Sequence, residues 1–536
     1  MTDKLFDGYL AGERPADFKT TSGLELEAVY GDGEKPGEYP FTRGIHPEMY
    51  RRRFWTRRQQ SGYGSPAASN ERLIFLLEQG QTGLNIDFDV ATKLGIDPDH
   101  PLGEGDVGLQ GTSVATLEDM AALFEGIPQD RVSATLIAQP PVSAVVVAMY
   151  LLLAKERNVA PEALLGTIMN CAFTQLVGPT LQANTHFFPI DFTTRVGLDV
   201  MEYCAREMPK WNIVNLNAYN VRETGLDAVQ EAAFTMALAG EYIAALVARG
   251  LSPDSFAKRM AFFTAAHIDL FEEVAKLRAM RRIWAKMLRE RFGAEDDRTC
   301  WFRTAIHTAA LPLTAQEPMN NIVRASVQTL AAVLGGAQSI HTTSWDEAFA
   351  LPSEESHRLS LRTQQVIAYE TNVVKTVDPL GGAPFVEDLT ERMEARMTAM
   401  MDDIDARGGF IELFKAGWVE EQIRAARLRH MARVESGETP VVGVNAFTRD
   451  DAEPPDMRFF RLGRAAIEQR IAYIRNYRAA RAGGVPTRAL DAVSAVAAGA
   501  DNVMPAVIDA VAAGATLGEI SEAFRTGLGY QMPGAA

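Results

Sequence analysis

From residue 83 to residue 382, short β-like runs alternate with longer helical patterns, and this alternation restricts the fold more than any other feature of the chain. The runs are GLNIDFD (83–89), RVSATLIA (131–138), LLGTIMN (164–170), NIVNLNAY (212–219), MAFFTAAH (260–267), FRTAIHTAA (302–310), AQSIHTTSW (337–345) and TNVVKTVD (371–378). Between them, stretches such as 142–157, 226–249, 270–292 and 320–334 repeat apolar residues at three and four positions, the spacing of helices with one buried face. Eight strand-then-helix units predict an α/β fold, a parallel (β/α)8 TIM barrel with its catalytic groups at the C-terminal ends of the strands. A doubly wound open sheet shares the local pattern and stays the alternative.

The strands are more polar than a barrel axis filled by Val, Ile and Leu would be. They carry Asn85, Asp87, Ser133, Thr135, Thr167, Asn170, Asn215, Asn217, Thr308 and Thr342. Buried hydroxyl and amide groups cost free energy unless they find partners, so these residues predict an axial channel and a long polar ligand threaded through it. The competing reading is that they stand at strand ends facing water.

Outside this region, residues 1–40 read as an extended arm rich in Gly and Pro. Residues 41–445 form the barrel with trailing helices over 387–407 and 418–433. Residues 446–536 form a linker and an Ala-rich helical tail, the break lying at NAFTRDDAEPPDMRFF (445–460). The balance of 53 Lys+Arg against 69 Asp+Glu, net −16, offers no broad cationic face for nucleic acid. Cys171, Cys204 and Cys300 are too few for a disulfide framework, which fits a reducing compartment. The apolar stretch 142–154 covers only about half a bilayer, and the N-terminus has no signal-like apolar region. A cytoplasmic protein with no membrane partner is expected.

Motif frames for phosphate loops are incomplete: GGAQS (335–339) and DPLGGAP (378–384) read as turns. His307, His341 and His357 stand on separate elements, so no metal site is predicted. The densest positive patch joins Arg51, Arg52, Arg53, Arg57 and Arg58 to Tyr50, Phe54 and Trp55. It suits a polyanionic small molecule carrying a base, or else a solvated charged face.

At this patch the chain begins to resemble the large, substrate-binding subunit of the methylmalonyl-CoA mutase family of coenzyme-B12-dependent acyl-CoA mutases. The matching stretches are YPFTRGIHPEMY (39–50), FWTRRQQSGYGS (54–65), GQTGLNIDFD (80–89), FEEVAKLRAMRRIWAKM (271–287), LTAQEPMNNIVRASVQTLAAVLGGAQSIHTTSWDEAFALP (313–352) and VVGVNAF (441–447). The resemblance implies a barrel with the CoA pantetheine along its axis. It implies CoA contacts at Met49, Arg53, Thr56, Arg58 and Gln59, and more weakly at Arg259 and Arg303; His46 and Glu48 depart from the family's Tyr and Thr. By position Glu223, Glu347, Phe88 and Ala348 fall toward the adenosylcobalamin face. No DxHxxG occurs, so the resemblance implies a separate small cobalamin-binding subunit holding the cobalt, within a heterotetramer. The resemblance also suggests a G-protein metallochaperone as a further partner. The implied chemistry is a radical 1,2-migration of the thioester carbonyl.

Pocket positions leave the methylmalonyl pattern. Gln60 replaces a Tyr, and Ala183, after the Gly178-Pro179 break, stands where an Arg would pair with the substrate carboxylate. A buried carboxylate without its cation costs about 3–5 kcal/mol, so methylmalonyl-CoA is disfavoured. Asp87 matches the residue that binds the substrate hydroxyl in 2-hydroxyisobutyryl-CoA mutases, which the pocket most resembles. Asn220 replaces the family His at the thioester carbonyl, and His307 stands one strand end away. The expected catalytic set is therefore Gln60, Asp87, Asn220 and His307, acting on a 2- or 3-hydroxyacyl-CoA. The rivals are a mutase for an uncharged isobutyryl- or pivalyl-type acyl-CoA, with Asp87 bonded within the protein, and a silent acyl-CoA-binding paralogue.

Overall fold

The computed structural model of the chain describes residues 6, 12–103, 105–172, 187–449, 462–481 and 484–531. Ala183, Gly178-Pro179 and most of the expected linker lie outside them. The chain divides into two compact units. One comprises Met1–Leu10, Gln60–Asn215 and Arg461–Ala536; the other comprises Ala11–Gln59 and Leu216–Phe460.

The strands are β1 (Thr56–Arg57), β2 (Gln60–Ser61), β3 (Leu84–Asp87), β4 (Ala134–Ile137), β5 (Gly166–Ile168), β6 (Trp211–Asn212), β7 (Val214–Asn217), β8 (Met260–Ala266), β9 (Thr304–Thr308) and β10 (Ser339–His341). They form two five-stranded sheets, ordered β2-β3-β4-β5-β6 and β1-β10-β9-β8-β7. Pairing is parallel from β2 to β6 and from β1 through β8, for example Gln60 opposite Asn85 and His341 opposite His307. The parallel α/β class is as expected, but among the described residues the sheets do not close into one barrel.

Three differences account for the strand count, and one is that the run expected at 212–219 is divided between β6 and β7. The expected strand at 371–378 is a series of turns, with Asn372 at φ 67° and Asp378 at φ 47°. Its polar groups are taken by other parts of the unit: Val377 N donates to Ala28 O at 2.8 Å, and Asp378 pairs with Arg43 at 3.0 Å and Arg278 at 2.5 Å. In its place, the stretch read only as a basic cluster supplies β1 and β2.

Full burial of β4 and β8 explains why these runs lack a simple inside–outside alternation. Several of the polar strand residues satisfy one another. Asn212 Nδ2 donates to Thr167 Oγ1 (2.9 Å), Thr308 Oγ1 to Thr343 Oγ1 (3.0 Å), and Ser143 Oγ to Asn170 Oδ1 (2.8 Å). Asn215 Oδ1 is buried with no hydrogen-bond partner.

Helix starts follow their capping residues. Asp227 accepts from Val229 N and Gln230 N, and Gln230 returns to the Asp227 N–H, opening the helix Ala228–Ala248. That helix is long and apolar enough to cross a membrane, yet 72% of its apolar window is buried within the protein. At its start the fully buried Glu231 lies 2.8 Å from Lys276, whose Nζ is also 2.5 Å from Glu273 and donates to Ala265 O at 2.8 Å. The helix therefore serves as core.

The tail helices Arg464–Ala480, Thr487–Ala498, Met504–Ala512 and Leu517–Leu528 belong to the first unit. Arg470 reaches Asp119 with two hydrogen bonds of 2.8 and 2.9 Å, and Asp119 also accepts from the Ala115 and Thr116 N–H groups. The two side chains are only 7% and 4% exposed. Arg470→Met should leave this carboxylate buried without its cation and lower unfolding stability by about 3–5 kcal/mol, read by denaturant titration; a change below about 1 kcal/mol would show that the tail is held by apolar contact alone.

Candidate functional site

In the first unit, the start of β2 and the C-terminal end of β3 bring Gln60 and Asp87 together. Gln60 Nε2 donates to Asp87 Oδ2 at 2.7 Å, and Lys93 Nζ lies 2.5 Å from Asp87 Oδ1. Lys93 projects from the one-turn helix Val90–Leu94, whose N-cap Asp89 accepts from Thr92 N and Gly108 N at 2.8 Å each. Gly95 at φ 70° ends that helix. The backbone is crowded here: a Cβ on Gly62 would stand 2.2 Å from Asp87 O, and one on Gly111 would stand 2.2 Å from the Phe88 carbonyl. Phe88 itself is fully buried. Each carboxylate oxygen of Asp87 keeps a lone pair beyond its present partner, so a hydroxyl can still donate to it.

In the second unit, β7 leads into the short helix Tyr219–Glu223, started by Asn217 Oδ1 accepting from Asn220 N at 3.0 Å. The Asn220 side-chain amide has no hydrogen-bond partner among the described residues. Tyr219 stacks on His307 with ring centroids 4.1 Å apart, and His341 meets His307 edge-on at 3.8 Å. The register of β9 with β10 causes this meeting, since His307 lies opposite His341. Burial, and secondarily His341, holds His307 neutral. Its Nδ1 is buried without a partner. The two His are neighbours, yet no three His, Cys, Asp or Glu among the described residues could hold a metal ion.

Glu223 Oε2 accepts from Leu311 N at 2.8 Å, while Oε1 is buried and unpartnered. Burial pushes its carboxyl up to about 8, with Glu347 adding to the rise and the Leu311 N–H and Arg222 opposing it. Glu223 therefore carries a proton at neutral pH. Glu347 is enclosed by protein on most sides, and that enclosure, then Asp346, pushes it up to about 7. Its remaining face is open to water, as is Ala348 beside it; that water moderates the shift, and Glu223 is the more firmly protonated of the two. The loop carrying Glu347 is fastened by Asn321 of NNIVR, whose Nδ2 donates to Thr314 O (2.8 Å) and Trp345 O (3.0 Å).

The same sheet carries a different chemistry at its other end. Arg259 immediately precedes β8 and Arg303 immediately precedes β9. Neither has an ion-pair partner among the described residues, and both Nε atoms are buried and unpartnered. Arg298 and Arg303 flank the Trp301 ring at 5.6 and 5.7 Å, and His46 meets that ring edge-on at 4.8 Å. Burial and then the neighbouring Arg259 and Arg298 push Arg303 down to about 10. His46 is pushed down to about 4 by burial, then by Arg303, Arg52 and Arg298. Cations gathered without acids form a site for a multiply charged anion. From Arg303 to His307 is four residues of strand, or about 13 Å, so a ligand touching both ends of this sheet is elongated and anionic at one end.

The basic cluster itself is divided. Arg57 is buried in a pair with Glu13 (2.7 Å), and Arg51 covers Phe18 while donating to Leu26 O and Lys375 O. Arg52 and Arg53 are exposed, and Thr56 and Arg58 are half-buried on or beside β1. Met49 is 8% exposed, packed toward Gly44 and Gly336. Gln59 is 0% exposed; its amide donates to Thr342 O (2.9 Å) and accepts from Thr342 N (3.0 Å) and Gln364 Nε2 (3.2 Å). We assign Gln59 to bracketing β1 and β10 rather than to ligand contact. Sequence reasoning missed Lys93, Tyr219, Arg298 and His341; of these, only Tyr219, adjacent to Asn220, carried a usable signal.

Residues 19–530 match the methylmalonyl-CoA mutase family. The chain is 38% identical over 523 residues to the 2-hydroxyisobutanoyl-CoA mutase large subunit of Aquincola tertiaricarbonis, covering 96% of this chain and 92% of that protein. It is 37% identical to the methylmalonyl-CoA mutase of Rhizobium meliloti (strain 1021), covering 95% and 72%, and 36% identical to that of Escherichia coli (strain K12), covering 94% and 71%. The chain belongs to the methylmalonyl-CoA mutase family, whose members are adenosylcobalamin-dependent acyl-CoA mutases and hence isomerases.

Proposed function

We propose that this chain is the substrate-binding subunit of an acyl-CoA mutase that isomerises a hydroxyacyl-CoA of the 2-hydroxyisobutyryl or 3-hydroxybutyryl type. The observation that carries the substrate class is Asp87, a carboxylate with free acceptor capacity at the end of β3, fixed by Gln60 and Lys93. Counting β1 with β2, and β6 with β7, as interrupted strands gives eight, the number of the (β/α)8 barrel that we propose with the family. The relative from Aquincola tertiaricarbonis is named a large subunit, which supports a small cobalamin-binding partner here, within a heterotetramer. A G-protein metallochaperone and a cytoplasmic location complete the proposal; the three cysteines are free thiols.

The residues present fit adenosylcobalamin. Glu223 offers a buried, unpartnered carboxyl oxygen and a proton, suited to hydroxyl and amide groups of a large neutral ligand; Glu347, Ala348 and Phe88 are proposed as further contacts. When bound, the cofactor supplies the radical chemistry that starts the carbonyl migration. The chain's own work is binding and orientation. Arg259, Arg303, Arg298, Arg52 and Arg53 grip the CoA phosphates, with Thr56, Arg58 and Met49 along the same path. The Asn220 amide donates to the thioester oxygen, neutral His307 on its Tyr219 platform faces the polar group of the acyl chain, and Asp87 accepts from its hydroxyl.

The internal bonds of Asp87 to Gln60 and Lys93 favour a second reading, a mutase for an uncharged branched acyl-CoA. A CoA-thioester panel separates the two when the chain is combined with a small cobalamin subunit and adenosylcobalamin. We expect turnover of 2-hydroxyisobutyryl- or 3-hydroxybutyryl-CoA that collapses in Asp87→Ala. Turnover of only isobutyryl- or pivalyl-CoA would replace the first reading by the second.

Arg303→Ala and Arg259→Ala should each weaken acyl-CoA binding by about tenfold or more, with a shallower salt dependence, as measured by calorimetry. Equal affinity for wild type and both variants would remove the phosphate role. Because burial raises Glu223, the folded state holds a proton there that the unfolded chain releases at ordinary carboxylate pH. Its contribution to stability is full below that range and is lost as pH rises through about 8. Glu223→Gln should therefore gain thermal stability relative to wild type at pH 9 but not at pH 4, and should abolish an alkaline decline in activity near pH 8; parallel pH profiles for the two proteins would refute this.

A further inference from the structure

We infer that Lys93 determines which acyl groups the site accepts: its ammonium is the cation an acyl carboxylate would need, and Asp87 already occupies it. The inference rests on the reading above that acyl-CoA is the ligand and that Asp87 lines its acyl end.

Three observations support it. First, the Lys93–Asp87 ion pair is close, 2.5 Å, and largely shielded, with side chains 21% and 15% exposed. Such a pair interacts more strongly than one in open solvent, and removing one partner leaves the other charge uncompensated. Second, Lys93 is fixed in place. Its N–H donates to Asp89 O at 3.0 Å, its helix is one turn long, and Asp89 at the other end is fully buried. Third, an ammonium has three donors, and no partner of Lys93 Nζ other than Asp87 occurs among the described residues. Lys93 therefore retains donors for a ligand group beside Asp87.

The consequence is a selection rule built from side chains alone. Gln60, Asp87 and Lys93 together are neutral. A hydroxyl approaching Asp87 meets a spare lone pair and gains a charge-assisted hydrogen bond. A carboxylate approaching the same place meets the Asp87 oxygens, and Lys93 is already paired. Asp87 thus stands where the carboxylate of a carboxyacyl group would stand, and Lys93 is a carboxylate receptor closed by the protein's own acid.

The test is calorimetric binding of CoA thioesters to the full chain, with 3-hydroxybutyryl-CoA and methylmalonyl-CoA as probes. Wild type should prefer the hydroxyacyl probe. Asp87→Asn and Asp87→Ala should each bind methylmalonyl-CoA about tenfold or more tightly than wild type does. Asp87→Asn/Lys93→Gln should lose that gain. Lys93→Gln alone should bind methylmalonyl-CoA more weakly still. Unchanged methylmalonyl-CoA affinity in both Asp87 variants, with thermal unfolding showing them folded, would overturn the inference, as would a gain that survives removal of Lys93. Failure of wild type to bind either probe would instead overturn the acyl-CoA reading and this inference with it.

Discussion

The second unit is organised around one buried ammonium. Lys276 lies between Glu231 and Glu273, with Arg222 3.7 Å from each of these acids. Two cations and two anions balance where none of the lysine or glutamate side chains is more than 1% exposed. Against the effect of burial, the acids drive the Lys276 pKa up. Glu231 also accepts from Ala265 N, and Lys276 donates to Ala265 O. Both backbone groups near the C-terminal end of β8 are thus held by side chains from two helices. Arg222 belongs to the helix that carries Asn220 and Glu223. The position of these two groups is therefore coupled to an ion network that is costly to break, because any single loss leaves a buried charge.

That coupling gives the sheet two unlike ends. Before β8 and β9 stand Arg259 and Arg303, with no ion-pair partner among the described residues. After β9 and β10 stand imidazoles and carboxyls whose surroundings favour the uncharged form. A charged end and a neutral end separated by one strand suit a ligand whose anionic handle is remote from its reacting group.

The parallel α/β class was legible in the sequence because buried parallel strands are short apolar runs separated by helical periods. The strand at 371–378 was misread: a run such as TNVVKTVD has β-branched residues, but positive φ at Asn372 and Asp378 and the pull of Arg43 and Arg278 on Asp378 make it a turn. The strands at 56–61 were hidden for the opposite reason, since Arg57, Arg58, Gln59 and Gln60 look like surface residues. Burial of Arg57 depends on Glu13, and burial of Gln59 depends on Thr342 and Gln364, all far away in sequence. Gln60 and Asp87 were singled out as separate pocket positions, and their contact is a diagonal one, since Gln60 lies opposite Asn85; Lys93 was invisible without knowing where its helix points. Arg259 and Arg303 were identified by resemblance; their lack of acidic partners is a fact of three dimensions.

The close backbone approach at Gly62 and Gly111 bears on how such a pocket can change. Where a single added carbon would collide with the Asp87 or Phe88 carbonyl, the wall of the site is main chain and cannot be remodelled by substitution. On the reading proposed above, recognition falls to the side chains at positions 60, 87 and 93, mounted on a frame that stays constant. Three exchangeable positions on an invariant frame allow a new acyl preference to arise in very few mutational steps, without first loosening the fold that holds them.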